Sequence, residues 1–329
     1  MDRATFLKSL AALAAAGAVP GTWAQPGANL KVLIPASPGG GWDTTGRALG
    51  QAMLDAKQAA AVTYENKGGA AGVLGMGPFI ARDKGDATQI MVMGAVMLGG
   101  LIASRWPINL MRGTPLMRLT TEDNVFVLPP NSPFKTMGDV IAQFKKDPDS
   151  VQWGGGSSGS TEHIAAAMVA RAVGVNPIRI NYVASDGGGE AAAAVLEGKV
   201  TVGGSGIGEF AEHIRSGKMK AVAVTSGERL AAYKDIPTLK EQGIDVEISN
   251  WRGLFGKPGL TPAQRQALTG ALLATTQSPA WQEALKKNGW TPAVLVGDEF
   301  TKFVESEFAS LRRTMETAGM VVVPIGLTP

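Results

Sequence analysis

The chain of 329 residues carries 31 Lys and Arg against 28 Asp and Glu, a net charge of +3, with 43 Gly, no Cys and two His. The absence of cysteine excludes disulfides, thiolate catalysis, Cys-bound zinc, iron–sulfur clusters and a lipoprotein acylation site, and two histidines give no basis for a multi-His metal centre. No Lys/Arg run and no basic stripe interleaved with aromatics is present, so nucleic acid is not an expected partner, and the length favours two α/β lobes over one core.

Arg3 and Lys8 precede a short apolar run from Leu10 to Val19 and then Thr22-Trp23-Ala24. A basic start, a run too short to span a bilayer and a small-x-small site describe a secretory signal peptide over residues 1–24, cleaved after Ala24. Ala4 stands where a twin-arginine signal would have its second Arg, so export by the general secretory route is expected.

From Leu30 the chain repeats one unit. A strand at 30–34 is closed by a Pro/Gly turn and followed by a helix at 43–54; a strand at 62–65 and the run Gly68-Gly69-Ala70-Ala71-Gly72 lead to a helix ending at Ala81 and a strand at 89–93. A second series begins with a strand at 124–128. It continues with strands at 151–153, 180–183, 200–203 and 221–225, and helices at 161–173, 190–196 and 209–216. Strand, Gly-rich loop and helix in alternation predict an α/β fold with largely parallel sheets flanked by helices. A strand at 246–249 leads into Asn250-Trp251-Arg252-Gly253 and a helical third stretch. There Thr261-Pro262-Ala263-Gln264 and Ser278-Pro279 read as helix starts, and Phe300, Phe303, Val304, Phe308, Leu311 and Met315 form one apolar stripe. The layout is lobe 1 over residues 25–122 and 249–329 and lobe 2 over 123–248, with two crossings that make a hinge and a cleft between the lobes.

The chemistry concentrates in Gly-rich turns that follow strands and open helices. They are Pro38-Gly39-Gly40-Gly41-Trp42-Asp43, Gly154-Gly155-Gly156-Ser157-Ser158-Gly159-Ser160-Thr161, Ser185-Asp186-Gly187-Gly188-Gly189-Glu190 and Gly203-Gly204-Ser205-Gly206-Ile207-Gly208-Glu209. In open α/β sheets such turns converge at the carboxyl ends of strands, and their free N–H groups attract anions. Asp43 either complements its helix start or accepts a ligand hydroxyl or amino group. Trp42 reads first as packing. His163 is either a surface helix residue or a donor to a bound carboxylate.

Two enzyme patterns are also present. Gly154-x-Gly156-x-x-Gly159 matches a dinucleotide fingerprint, but Asp186, 27 positions on, begins another Gly-rich turn instead of ending a strand. Gly155-x-Ser157-x-Gly159 matches a nucleophile elbow, which keeps a secreted serine hydrolase using Ser157 as the alternative, with His163 or His213 as its base.

Val32-Leu33-Ile34-Pro35-Ala36-Ser37-Pro38-Gly39-Gly40-Gly41-Trp42-Asp43, Glu65-Asn66-Lys67-Gly68-Gly69-Ala70-Ala71-Gly72, Trp153-Gly154-Gly155-Gly156-Ser157 and Asp235-Ile236-Pro237-Thr238-Leu239 resemble, in order, the receptors of tripartite tricarboxylate transporters, the Bug family. The Gly-Gly-Gly-Trp-Asp turn and Asn250-Trp251-Arg252-Gly253 are similar to its tricarboxylate branch. The resemblance implies a periplasmic two-lobed "Venus flytrap", a monomer without cofactor, that delivers a small organic carboxylate to a membrane permease. The ligand would be a tricarboxylate such as citrate, or a dicarboxylate. It implies carboxylate binding by backbone N–H groups, hydroxyls and waters at Gly39–Asp43, at Ser157–Thr161 and at the turn of Asp186 and Gly187, to which the reading of the Gly-rich turns adds Gly156, His163 and Ser205. Asn66-Lys67-Gly68 departs from the family's usual Asn-x-Pro-Gly.

Overall fold

Strand β1 (Asn29–Ile34) buries Leu30, Val32 and Ile34 completely while Asn29 and Lys31 stay exposed, the alternation of an amphipathic strand. It opens a computed structural model that describes residues 28–105 and 110–321. The expected signal peptide lies outside the described residues.

The first half continues with α1 (Gly41–Asp55), β2 (Ala61–Asn66), α2 (Val73–Ala81), β3 (Gln89–Gly94) and α3 (Ala95–Ser104). Strand β4 (Thr114–Leu128) leads into α4 (Met137–Lys146), β5 (Gln152–Gly155), α5 (Thr161–Ala172), β6 (Asn181–Ala184), α6 (Gly188–Leu196), β7 (Val202–Gly206), α7 (Ile207–Arg215) and β8 (Lys220–Val224). The chain closes with β9 (Ser249–Gly256), α8 (Pro262–Thr276), α9 (Pro279–Asn288), β10 (Thr291–Val296) and α10 (Gly297–Thr317). The α/β alternation, the caps and the terminal stripe match the expectation. Thr261 and Gln264 exchange the hydrogen bonds of a capping box, Ser278 Oγ accepts from Trp281 N, and Phe300, Val304, Leu311 and Met315 are buried.

The strands form one mixed sheet, ordered β2-β1-β3-β9-β4-β7-β5-β6 with β10 and β8 also on β4. Parallel pairing holds for β1 with β2 and β3, and for β5 with β6 and β7. Strands β4 and β9 run antiparallel to their neighbours and join the two parallel groups. Strand β4 changes partners along its length: Asp123 pairs with Ser249 of β9, whereas Asn124 pairs with Gly206 of β7.

Three packed clusters fill the layers. The largest joins Val32, Leu49, Ile90, Leu254, Leu268, Phe300 and Met315. On β4, Phe126 and Leu128 enter a second cluster with Phe144 and Trp153, while Val125 and Val127 enter a third with Val195 and Phe210. Burial on both faces leaves no polar alternation over residues 125–128 of this strand.

Two local readings change. The strand expected at 246–249 begins at Ser249, so Asn250-Trp251-Arg252-Gly253 lies inside β9, paired with β4 throughout and with β3 as well at Arg252 and Gly253. Gly253 is required there by packing: a Cβ would sit 2.6 Å from Met117 O. Likewise Gly203–Gly206 is strand, not turn, because a Cβ on Gly203 would meet Val195 of α6 at 2.1 Å. Sheet pairing and close backbone approach, not turn geometry, account for these glycines and that Asn.

Candidate ligand-binding site

The N-termini of α1 and α6 face each other. Gly40 and Gly187 are the residues before these helices, and neither end has a side-chain cap, so the first N–H groups of both helices are without an intrahelical partner. A Cβ built on Gly40 would lie 3.8 Å from both Gly187 Cα and Gly188 N. Around this contact runs a cleft of about 590 Å³, open to solvent. Its first wall is Pro35, Ala36, Gly40, Gly41, Trp42, the Gly69–Gly72 turn and Val96. The second is Gly156, Ser157, Ser160, Glu162, Asp186, Gly187, Gly188, Ser205 and Glu209, with Asn250 and Arg252 of β9 at the junction.

The Gly69–Gly72 turn is strained. Ala70 and Ala71 have φ of 48° and 55° between Gly69 at 110° and Gly72 at 87°. Left-handed backbone at consecutive non-glycine residues costs on the order of 1–3 kcal/mol each and is retained where a fixed backbone shape is needed.

The remaining sequence candidates hold the turns in shape. Asp43 does not line the cleft; its carboxylate accepts from Gly39 N at 2.9 Å, Arg47 Nε at 2.9 Å and Asn66 Nδ2 at 2.8 Å. Partial burial opposes its charge, but these bonds prevail and hold the carboxyl below its ordinary range. Asn66 also donates to Ala36 O, so the loop that departs from the family pattern is tied to the first turn. His163 stacks on Tyr182 with ring centres 4.0 Å apart, and its Nδ1 accepts from Gly159 N at 3.1 Å. Burial lowers its pKa to about 4, so the ring is neutral. Thr161 is fully buried with its Oγ1 unpartnered, and Ser158 is exposed outside the cleft lining. Ser157 Oγ donates to Ser185 O at 3.3 Å. With that hydroxyl and His163 Nδ1 committed to backbone groups, the nucleophile–base bond of a hydrolase is not formed here.

Charged residues dominate the floor. Arg252 and Glu122 form an ion pair with side chains 3% and 1% exposed. Arg252 also donates to Thr45 Oγ1 at 3.1 Å and lies 5.3 Å from the Trp290 ring centre, while Asn250 donates to Glu122. Burial raises the Glu122 carboxyl, Arg252 opposes it, and Glu209 and Glu162 add to the rise. Glu209 accepts from Ser205 Oγ at 2.6 Å. Its carboxylate passes between the two helix starts, for a Cβ on Gly188 would fall 2.3 Å from Glu209 Oε1 and one on Gly41 3.2 Å from the same atom.

Glu122, Glu162, Glu209, Asn250 and Arg252 are absent from the site read from sequence. Glu162 follows one named turn and Glu209 closes another, and both look like ordinary first-turn helix acids. Arg252 and Glu122 meet only through the β4–β9 register. Among the described residues no cluster of His, Asp and Glu suits a metal ion, and no helix is long and apolar enough to cross a membrane.

Known proteins share this architecture. Protein BugT of Bordetella pertussis is 25% identical over 86% of this chain and 86% of its own length. The periplasmic binding protein BugD superposes with a TM-score of 0.79 at 24% identity, over 90% of this chain and 99% of BugD. MatC from Rhodopseudomonas palustris, solved with bound malate, does so with 0.77 at 22% identity, over 88% and 99%. The model of the tripartite tricarboxylate transporter family receptors matches residues 47–320, and the chain belongs to that family.

Proposed function

We propose that this protein is a periplasmic receptor that binds a small organic carboxylate in the cleft and passes it to the permease of a tripartite tricarboxylate transporter. The observation that carries this reading is the pair of uncapped helix N-termini meeting at Gly40 and Gly187. Such ends hold an anion without a basic side chain. Ser157 and Ser205 line the same space, their hydroxyl protons engaged by Ser185 O and Glu209. Membership of the receptor family and the malate bound to MatC support a di- or tricarboxylate.

In this reading residues 25–122 and 249–329 form one lobe and 123–248 the other. The partner exchange of β4 between Asp123 and Asn124 supports that division. Gly40, Gly41, Trp42, Gly156, Ser157, Gly187 and Ser205 contact ligand; Asp43 and His163 act through the turns they hold. The protein works as a monomer, binds without turnover, and reaches the periplasm after cleavage behind Ala24.

Thermal-shift and calorimetric titration against a panel of organic acids tests the proposal. At a hundredfold excess over Kd the ligand adds about 2.7 kcal/mol to stability. If no di- or tricarboxylate stabilises the protein, the receptor reading fails. Hydrolysis of ester substrates abolished by Ser157→Ala would favour the hydrolase instead.

A further inference from the structure

The cleft presents acceptors as well as donors, and two of its buried acceptors are without partners. Glu162, 6% exposed, lines the cleft, and its Oε2 accepts no hydrogen bond; Asn250 Oδ1 at the junction is likewise unpartnered. Glu209 and Asp186 line the same space, whereas Arg252, the basic residue among the described lining residues, is already paired with Glu122. A ligand made only of carboxylates satisfies the helix N–H groups and leaves Glu162 Oε2 without a donor. A buried acceptor without a donor is costly, and sites built to receive a hydroxyl or N–H discriminate strongly against analogues that lack it.

We infer that Glu162 is the specificity-determining residue of the cleft, selecting carboxylates that also carry a hydrogen-bond donor, a hydroxyl or an ammonium, to set against its Oε2. This deepens the receptor reading and rests on it. The helix starts at Gly41 and Gly188 take the carboxylate, and Glu162, with Asn250 beside the hinge, takes the donor. Hydroxyl and ammonium share this chemistry and differ in charge: a hydroxyl asks only for an acceptor, an ammonium also for negative charge. Glu162→Gln, which keeps an acceptor and removes the charge, separates them.

Calorimetry with matched acids reads the preference directly: succinate, malate and aspartate as one set, tricarballylate and citrate as another. In the wild type the donor-bearing member of at least one set should bind about tenfold or more tightly than its plain counterpart. Glu162→Leu should bring the two within about twofold by weakening the donor-bearing acid, and Glu162→Ala gives the same readout if leucine does not fold. A preference retained in Glu162→Gln assigns a hydroxyl, and one lost there assigns an ammonium. Plain and donor-bearing acids bound equally by the wild type, or a preference that survives both Leu and Ala, overturn the role of Glu162 and leave the receptor standing. Binding of no acid in either set by the wild type overturns both.

Discussion

Gly40 and Gly187 bring the starts of two helices together across the cleft, where a Cβ built on either would lie 3.8 Å from the Cα of the other. Both have negative or extended backbone, at φ −80° and 175°, so conformation admits a side chain at either position and only room limits its size. Gly187→Ala should therefore be tolerated, because its methyl meets Gly40 Cα at 3.8 Å. Gly187→Phe should hold the halves apart, enlarge the radius of gyration in small-angle scattering and lower ligand affinity about tenfold or more, the scale of at least one hydrogen bond left unmade. Unchanged scattering and affinity in the Phe variant would show that this contact does not govern closure.

A second contact is tighter. A Cβ on Gly99 of α3 would lie 1.9 Å from Gly159 O on the opposite wall. Gly99→Ala raises helix propensity by about 1 kcal/mol, so α3 itself gains. The clash, however, is with backbone that cannot swing aside. We expect scattering to report a more open protein even with ligand present, with melting temperature little changed. A compact variant of normal affinity refutes this.

The Arg252–Glu122 pair should show the asymmetry of buried ion pairs. Arg252→Met leaves a carboxylate buried without its partner and should cost about 3–5 kcal/mol in urea unfolding. Adding Glu122→Leu should recover most of that loss, because no charge then remains to be desolvated. Additive losses would mean that the pair stabilises the fold in its own right.

His163 gives a pH dependence of definite sign. Its folded pKa of about 4 lies below the ordinary value of 6.5, so the unfolded chain binds the extra proton between those limits. Stability from the neutral ring is complete above pH 6.5 and is lost as pH falls towards 4, by at most about 3 kcal/mol. His163→Phe preserves a ring against Tyr182 but gives Gly159 N no acceptor, costing about 1 kcal/mol at neutral pH. The melting temperatures of variant and wild type should converge as pH falls below 6.5 and cross before pH 4, the variant becoming the more stable. Curves that stay parallel would contradict a neutral, desolvated imidazole.

Local signals carried much of this molecule in the sequence. Thr261 and Ser278 as caps, the Phe300–Met315 stripe, and the turns opening α1, α5 and α6 each depend on residues within a few positions of one another. The charged floor depends on register. Glu122 and Arg252 are 130 positions apart and adjacent only because β4 and β9 pair antiparallel. Composition also misled at Gly203–Gly206, where glycine makes room for Val195 instead of bending the chain. Glu162 was hidden for a different reason: an acid in a first helical turn is so common that only its burial and its unpartnered Oε2 set it apart.

Asp123 and Ser249 are registered partners in one ladder, so the chain leaves the first parallel group and returns to it through neighbouring positions. In engineering terms the stretch from 124 to 248 is a cassette whose two ends are already clamped together. Splicing the matching stretch of a relative between these residues would graft a foreign second wall onto the native first wall without lengthening any connection. Chimeras of this kind would make ligand preference exchangeable one wall at a time, with Gly41 kept constant while the residue at position 162 is swapped.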